Sequence, residues 1–128
     1  MDIRYEKITN KTFDEAIKSI KEELKKRSFG VLWEFNIKDK MAEHNLDFAN
    51  NFMVLEVCNP HKAYEVLSKH IDVGYFLPCK MVVYEKDGKV RIGAARPKAL
   101  MGMFAYEDLD DVANEVERIM IESIDAAV

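Results

Sequence analysis

The sequence predicts an α+β fold: a curved antiparallel sheet of about five strands, with two long helices on one face and short helical insertions. Three observations predict it. One segment near each end of the chain repeats apolar residues every three or four positions, as amphipathic helices do. Short apolar segments lie between them, and two of these flank Asp87-Gly88, which is typical of an antiparallel hairpin. Short connections between successive strands favour a meander, so the expected order is β-α-β-β-β-β-α.

A short strand and then the first long helix are predicted at the start of the chain. The strand covers Tyr5 to Asn10, and Thr12 with Glu15 forms a capping box that begins the helix. The helix is expected to end near Ser28. Its apolar stripe, which should face the core, consists of Phe13, Ala16, Ile17, Ile20 and Leu24.

Alternating apolar residues predict the second strand, with one buried face and with Leu32 as the exception to the alternation. The residues assigned to the buried face are Phe29, Val31, Trp33, Phe35 and Ile37. A short helix with Met41 and Ala42 directed inward is expected over residues 38–45. The stretch from residue 52 to 58 is apolar except at Glu56, as in a central strand.

The second half of the chain predicts a helix, a hairpin and a last long helix. Asn59-Pro60 supplies an N-cap and a first-turn proline. The hairpin strands cover residues 80–84 and 90–94, and the last helix covers 108–125. A two-residue turn pairs Val83 with Ile92, Met81 with Ala94, and Tyr84 with Arg91.

Four further apolar side chains are interpreted as packing groups rather than ligand contacts. Tyr75 and Phe76, in the loop before the hairpin, are expected to fill the core. Met101 and Met103 are expected to make core or dimer contacts.

Composition excludes some classes of function. The 128 residues suit a single domain over 1–128, and a net charge of −4 disfavours nucleic acid as a partner. No apolar stretch is long enough for a membrane span, and the first residues lack the apolar core of a signal peptide. Cytoplasmic location is therefore predicted. The chain has only two cysteines, Cys58 and Cys79, which are expected to be reduced thiols.

The candidate ligand-binding site lies where these cysteines should meet. In a meander the end of the third strand lies beside the start of the fourth, so the two thiols become neighbours. Cys58 also precedes a helix, whose positive end can lower a thiol pKa. The candidate residues are Glu56, Cys58, Asn59, Pro60, Pro78 and Cys79.

Plainer interpretations of the same residues remain open. Both cysteines could be inert packing groups, and Glu56 could pair with Arg91 or Lys80 across the sheet instead of acting as a base. His61 follows Cys58 at a spacing that matches no zinc pattern. No metal centre, cofactor or known enzyme motif is therefore predicted.

The chain also resembles a family of uncharacterised proteins called domain of unknown function 302. The resemblance covers most of the chain and rests on Glu56-Val57-Cys58-Asn59-Pro60 with Ala63-Tyr64, on Gly74-Tyr75-Phe76-Leu77-Pro78-Cys79 with Val82-Val83-Tyr84-Glu85, and on Asp87-Gly88. It implies a homodimer and a fold like one half of the TATA-binding-protein fold with extra helices. The family has no settled activity, so the resemblance implies no substrate.

The sequence is therefore consistent with three functions. The leading hypothesis is a small-ligand-binding or sensor-like homodimer with a cysteine-lined pocket. A homodimer would bury apolar groups such as Leu32 and Val82, which the two helices cannot both reach. The first alternative is a thiol-dependent redox or sulfur-transfer enzyme, with Cys58 as nucleophile and Cys79 as resolving thiol. The second is a protein-interaction module, so whether the chain is an enzyme stays open.

Overall fold

The computed structural model describes residues 2–128 and follows the predicted order of strands and helices. The strands are β1 (Arg4–Thr9), β2 (Gly30–Asn36), β3 (Phe52–Cys58), β4 (Cys79–Lys86) and β5 (Lys89–Ala95). The α-helices are α1 (Phe13–Lys26), α2 (Ile37–Glu43), α3 (Pro60–Lys69), α4 (Pro97–Gly102) and α5 (Asp110–Ala127). Two 3-10 helices cover Ile71–Phe76 and Glu107–Leu109.

The strands form one open antiparallel sheet in the order β1-β5-β4-β3-β2. The four strands β2 to β5 are therefore the predicted meander, and β1 pairs with β5 at the far edge. The hairpin register is also as predicted, because Asp87 and Gly88 adopt the positive φ angles that a two-residue turn requires. Met81 pairs with Ala94, Val83 with Ile92, and Tyr84 with Arg91.

The two long helices, α1 and α5, pack together and cover one face of the sheet. The Thr12 hydroxyl accepts a hydrogen bond from the Glu15 amide at 3.2 Å, so the predicted capping box begins α1. The sheet contributes fully buried side chains to the core beneath these helices, namely Leu55, Val57, Met81, Val83 and Ile92. The helices contribute Ile20, Leu24, Met120 and Ile124. The predicted α+β layers are confirmed.

The predicted buried face of the second strand is wrong beyond Val31. A β-bulge lies between Val31 and Trp33, so the side chains that follow Leu32 change sides. Trp33 is 55% exposed, and it stacks on Phe35 with ring centroids 5.3 Å apart. Ile37 belongs to α2 and not to the strand.

Several other apolar residues are more exposed than the sequence predicted. No residue of α2 is buried, so Met41 and Ala42 do not point into the core. Tyr75 is 89% exposed and Phe76 is also exposed, because the segment Ile71–Phe76 winds as a 3-10 helix along the surface. Met103 is exposed, whereas Met101 packs in the core as predicted.

A buried carboxylate fixes the short helix α4 against α5. The Glu117 side chain accepts a hydrogen bond from Arg96 Nη2 at 3.1 Å and another from the Lys98 amide at 3.2 Å. One oxygen thus meets a charged partner, and the other meets a free N–H group in the first turn of α4. The contact positions Met101, which lies one turn further along α4.

The long helices leave the other face of the sheet open, and aromatic side chains lie on it. Besides the Trp33–Phe35 pair, Phe52 stacks on Tyr84 with ring centroids 5.2 Å apart. Two ion pairs cross the same face: Glu6 with Arg91 and Glu56 with Lys80, each at 3.6 Å. The open face therefore combines apolar rings with charges that are already neutralised in pairs.

Candidate functional site

Both cysteines line one small cavity at the end of the sheet, between the sheet and α3, α4 and α5. Cys58 is the last residue of β3 and Cys79 the first of β4, and Val57 pairs with Cys79 across the two strands. The ends of β3 and β4 that carry the two cysteines therefore lie side by side, as the meander predicts. The cavity is lined by Phe29, Val57, Cys58, Asn59, Lys62, Ala63, Val66, Leu77, Pro78, Cys79, Met101 and Val116.

The two thiols are free and partly buried. Burial, together with the neighbouring Cys58 thiol and Glu56 carboxylate, raises the pKa of Cys79 to about 11. Burial also raises the pKa of Cys58, so the expectation that the helix end lowers it is wrong. Both groups are neutral thiols near pH 7, which makes them poor nucleophiles.

Asn59 begins helix α3 beside the cavity, as the sequence predicted. Its side-chain oxygen accepts hydrogen bonds from the amides of His61 at 3.0 Å and Lys62 at 3.1 Å. The Lys62 ammonium then reaches Glu115 on α5 at 2.7 Å and lowers the pKa of that carboxyl group. These contacts fix α3 to α5 and hold the wall of the cavity.

Two of the six candidate residues do not line this cavity. The Glu56 side chain lies on the open face and pairs with Lys80, as one of the plainer interpretations predicted. Neighbouring residues of a strand point to opposite faces, so Glu56 and Cys58 point away from the side of Val57 and Cys79, and Cys58 borders the cavity as the last residue of β3. Pro60 is exposed and serves as the first-turn proline of α3. Cys58, Asn59, Pro78 and Cys79 remain together.

Eight residues of the lining were outside the predicted set, among them Met101 and Lys62. Met101 lines the cavity from α4, whereas the two cysteines line it from β3 and β4. Lys62 lies in the first turn of α3, close to Cys58 in the chain. Its position just after the Asn59 N-cap could have indicated that it belongs to the cavity wall. No local pattern connects Met101 to either cysteine.

The cavity is small and mostly apolar. Its free volume is about 20 Å³, and one water molecule needs roughly 10 to 15 Å³. A typical pocket for an organic ligand has about 300 Å³ or more. In the folded arrangement the cavity can therefore accept a single ion or a group of one or two heavy atoms.

A second polar cluster lies outside the cavity and braces the surface. The His70 ring stacks on Tyr106 at 3.7 Å, and its Nε2 lies 2.9 Å from an Asp108 carboxylate oxygen. Tyr106 donates a hydrogen bond to Asp72 at 2.6 Å, which raises the pKa of its hydroxyl. These contacts fix the Ile71–Phe76 segment to the chain that precedes α5, and they have no connection with the cysteines.

Residues 2–128 lack two other kinds of site. No group of three or more His, Cys, Asp and Glu side chains in that range is arranged to hold a metal ion. Among the helices described for the same range, none has both the length and the apolar character that a membrane crossing needs.

Alkylation kinetics should show that the cavity thiols are unreactive. In the folded protein we expect iodoacetamide to label Cys58 and Cys79 slowly at pH 7 to 8, because both pKa values are raised and the thiolate is the reacting species. Labelling of Cys79 should accelerate as the pH approaches about 11. In urea both cysteines should label at the rate of a free thiol. Fast labelling of Cys58 in the folded state at neutral pH would instead favour the redox alternative.

The open antiparallel sheet, with its long helices on one face, identifies the chain as a small α+β protein. The family model called "Domain of unknown function DUF302" matches residues 5–127, and the chain belongs to this DUF302 family.

A crystal structure of a related protein shares the whole fold. It is the crystal structure of an uncharacterized conserved DUF302 protein from Bacillus stearothermophilus, which is 38% identical, with a TM-score of 0.97 over 100% of each chain. No curated protein matches the chain. The family predicted from the cysteine motifs is confirmed, whereas the likeness to half of the TATA-binding-protein fold stays a prediction.

Proposed function

We propose that this chain is a single-domain binding protein that acts as a homodimer and holds a very small ligand in the cavity between Cys58 and Cys79. The observation that carries the proposal is the cavity itself, which the ends of two neighbouring strands and the start of a capped helix enclose, with Cys58 and Cys79 among its lining residues. Its volume restricts the ligand to an ion or a group of one or two heavy atoms.

The open face of the sheet supports the homodimer. Val82 lies at its centre, between Val54 and Gly93, and aromatic pairs lie around it. Exposed apolar patches of this kind are typical of interfaces. Because Glu6 and Arg91 already neutralise each other, a second copy can approach without strong repulsion between like charges.

The two neutral thiols support a location in a reducing compartment, and we propose that the protein is cytoplasmic. Two free cysteines beside one cavity would be at risk of oxidation in a secreted protein. The redox alternative has less support, because neither thiol has the lowered pKa that a nucleophile needs.

A second candidate function, a protein-interaction module, is favoured by one observation. Tyr64, Ile71 and Tyr75 are each more than 75% exposed, and they lie on α3 and the 3-10 helix that packs against it. They are on a different element from the open face of the sheet. Loss of a partner from pull-downs after Tyr75→Ser, with the dimer intact, would favour this candidate.

Native mass spectrometry of the protein purified from its own cells tests both parts of the proposal. We expect a dimer with a small added mass per chain. Val82→Glu should weaken the dimer at least about tenfold, since an unpaired carboxylate in an apolar interface costs more than the roughly 1.4 kcal/mol that this factor needs. Ala63→Leu, which fills the cavity, should remove the added mass and keep the dimer.

Two matched controls accompany these variants. Tyr64→Glu introduces the same charge on an exposed helix position and should leave the dimer unchanged. Ala49→Leu enlarges an exposed loop residue and should leave the added mass unchanged. A wild-type monomer would overturn the homodimer, and a wild-type protein without any added mass, or with a mass that Ala63→Leu retains, would overturn the ligand site.

A further inference from the structure

A larger space than the cysteine-lined cavity lies at one end of the open face of the sheet, and we call it the Glu56 cleft. Its volume is about 330 Å³, at the lower end of the range for sites that hold small organic molecules. Glu56 on β3 and Lys80 on β4 line it from paired positions of the two strands. The rest of the lining is aromatic or aliphatic: Tyr75, Phe76, Leu77, Pro78, Ala95 and Leu100.

Glu56 is the less satisfied of the two carboxylates that form ion pairs on the open face. Besides its ion pair, Glu6 accepts a hydrogen bond from the Tyr84 hydroxyl at 2.8 Å. The polar contact described for Glu56 within residues 2–128 is the Lys80 ammonium at 3.6 Å, which is longer than a hydrogen bond. Because the Glu56 side chain is only 17% exposed, water has limited access to it. The Glu56 oxygens therefore keep the capacity to accept from a donor that enters the cleft.

The apolar part of the lining is held in place by contacts outside the cleft. Phe76 packs edge-on against Phe104, with ring centroids 5.3 Å apart. Leu77 packs against the hydrophobic core, and Leu100 lies on α4, whose first turn Glu117 fixes. A wall that is already ordered loses little conformational freedom when a ligand binds to it. The Glu56 cleft is therefore largely preformed.

We infer that the Glu56 cleft binds a free α-amino acid with an aromatic or large aliphatic side chain. Such a molecule carries its ammonium and its carboxylate on the same carbon, so both reach a pair of opposite charges 3.6 Å apart. The ammonium donates to Glu56, the carboxylate accepts from Lys80, and the side chain packs against the apolar lining. The site goes beyond the proposed function, because it uses neither thiol and no second copy of the chain.

The charge pair favours a zwitterion over a ligand with a single charge. A cation alone would compete with Lys80 for Glu56, and an anion alone would compete with Glu56 for Lys80. The second case costs more, because the Glu56 side chain is mostly covered whereas that of Lys80 is 54% exposed to water. A zwitterion provides a partner for each group and leaves the net charge of the cleft unchanged.

Titration of the isotope-labelled wild-type protein with L-phenylalanine, followed by amide chemical shifts in two-dimensional NMR spectra, tests the inference. We expect saturable shifts at Glu56, Tyr75 and Lys80, with one ligand per chain and a Kd of about 1 mM or lower. Hydrocinnamate lacks the ammonium and should bind about tenfold more weakly or worse. Phenethylamine lacks the carboxylate and should bind about two- to fivefold more weakly. Glycine lacks the side chain and should lose about tenfold or more.

Two variants and a matched control locate the binding site. Glu56→Gln keeps the size of the side chain and should weaken L-phenylalanine about tenfold or more, since it removes a charged acceptor. Lys80→Met should weaken it about two- to fivefold, because that side chain is more exposed. Glu34→Gln is the control, since Glu34 is also a strand carboxylate paired with a lysine, Lys21, but lies outside the cleft. It should bind L-phenylalanine like the wild type.

The same spectra show whether each variant is folded. Absence of saturable shifts in the wild type would overturn the inference, as would shifts confined to residues outside the cleft. Equal binding of hydrocinnamate and L-phenylalanine, or full affinity in folded Glu56→Gln, would also overturn it. None of these variants changes Cys58, Cys79 or Ala63, so the outcome is independent of the test of the cysteine-lined cavity.

Discussion

Replacing Arg96 by Met should lower the free energy of unfolding by about 2 to 3 kcal/mol, because it leaves the Glu117 carboxylate without its charged partner. Breaking a fully buried ion pair costs roughly 3 to 5 kcal/mol. The side chains of Arg96 and Glu117 are 24% and 11% exposed, so water reduces the effect. Urea denaturation of the wild type and the variant measures the difference.

A second substitution separates charge from packing at this position. Adding Glu117→Gln to Arg96→Met should recover at least half of the lost stability, since a neutral amide costs less to leave unpaired than a carboxylate. Lys98→Met keeps the amide that donates to Glu117 and should change stability by less than about 0.5 kcal/mol. A loss in Arg96→Met below about 0.5 kcal/mol would show that the ion pair does not fix α4.

Replacing Leu55 by Ala should cost about 2 to 5 kcal/mol, the range for a fully buried leucine. Leu55 lies in the middle of β3, pairs with Met81, and is 0% exposed beneath the long helices. The same measurement on Leu46→Ala, which is 56% exposed, should show a change of less than about 0.5 kcal/mol. Equal losses in the two variants would contradict the assignment of the β3 inner face to the core.

Local sequence signals predicted the parts of the fold that depend on local chemistry. The Asp87-Gly88 turn determines the register of β4 and β5, because a two-residue loop leaves only one pairing. Thr12 and Asn59 begin their helices as their side chains predict. The side chains of Trp33 and Phe35 were assigned to the wrong face, because a single extra residue at a bulge reverses the alternation and leaves only a weak mark in the sequence.

The candidate site was predicted only where it depends on strand order. Strand order alone brings Cys58 and Cys79 together, and a meander is the simplest order for strands with short connections. Met101 could not be predicted as a member of the site. Its place depends on a contact between Arg96 and Glu117, which lie 21 residues apart in the chain. Tyr75 was expected inside because aromatic residues usually are, but a surface 3-10 helix keeps it outside.

The bulge in β2 also limits how copies of the chain can join. A flat outer strand offers a row of unpaired amides and carbonyls on which another strand can add, and repeated addition leads to fibres. Here the bulge after Val31 interrupts that row, and the strand passes into α2 at Ile37 without an intervening loop. The proposed homodimer would instead use the broad aromatic surface, where a single twofold pairing buries the apolar area and leaves none of it for a third copy.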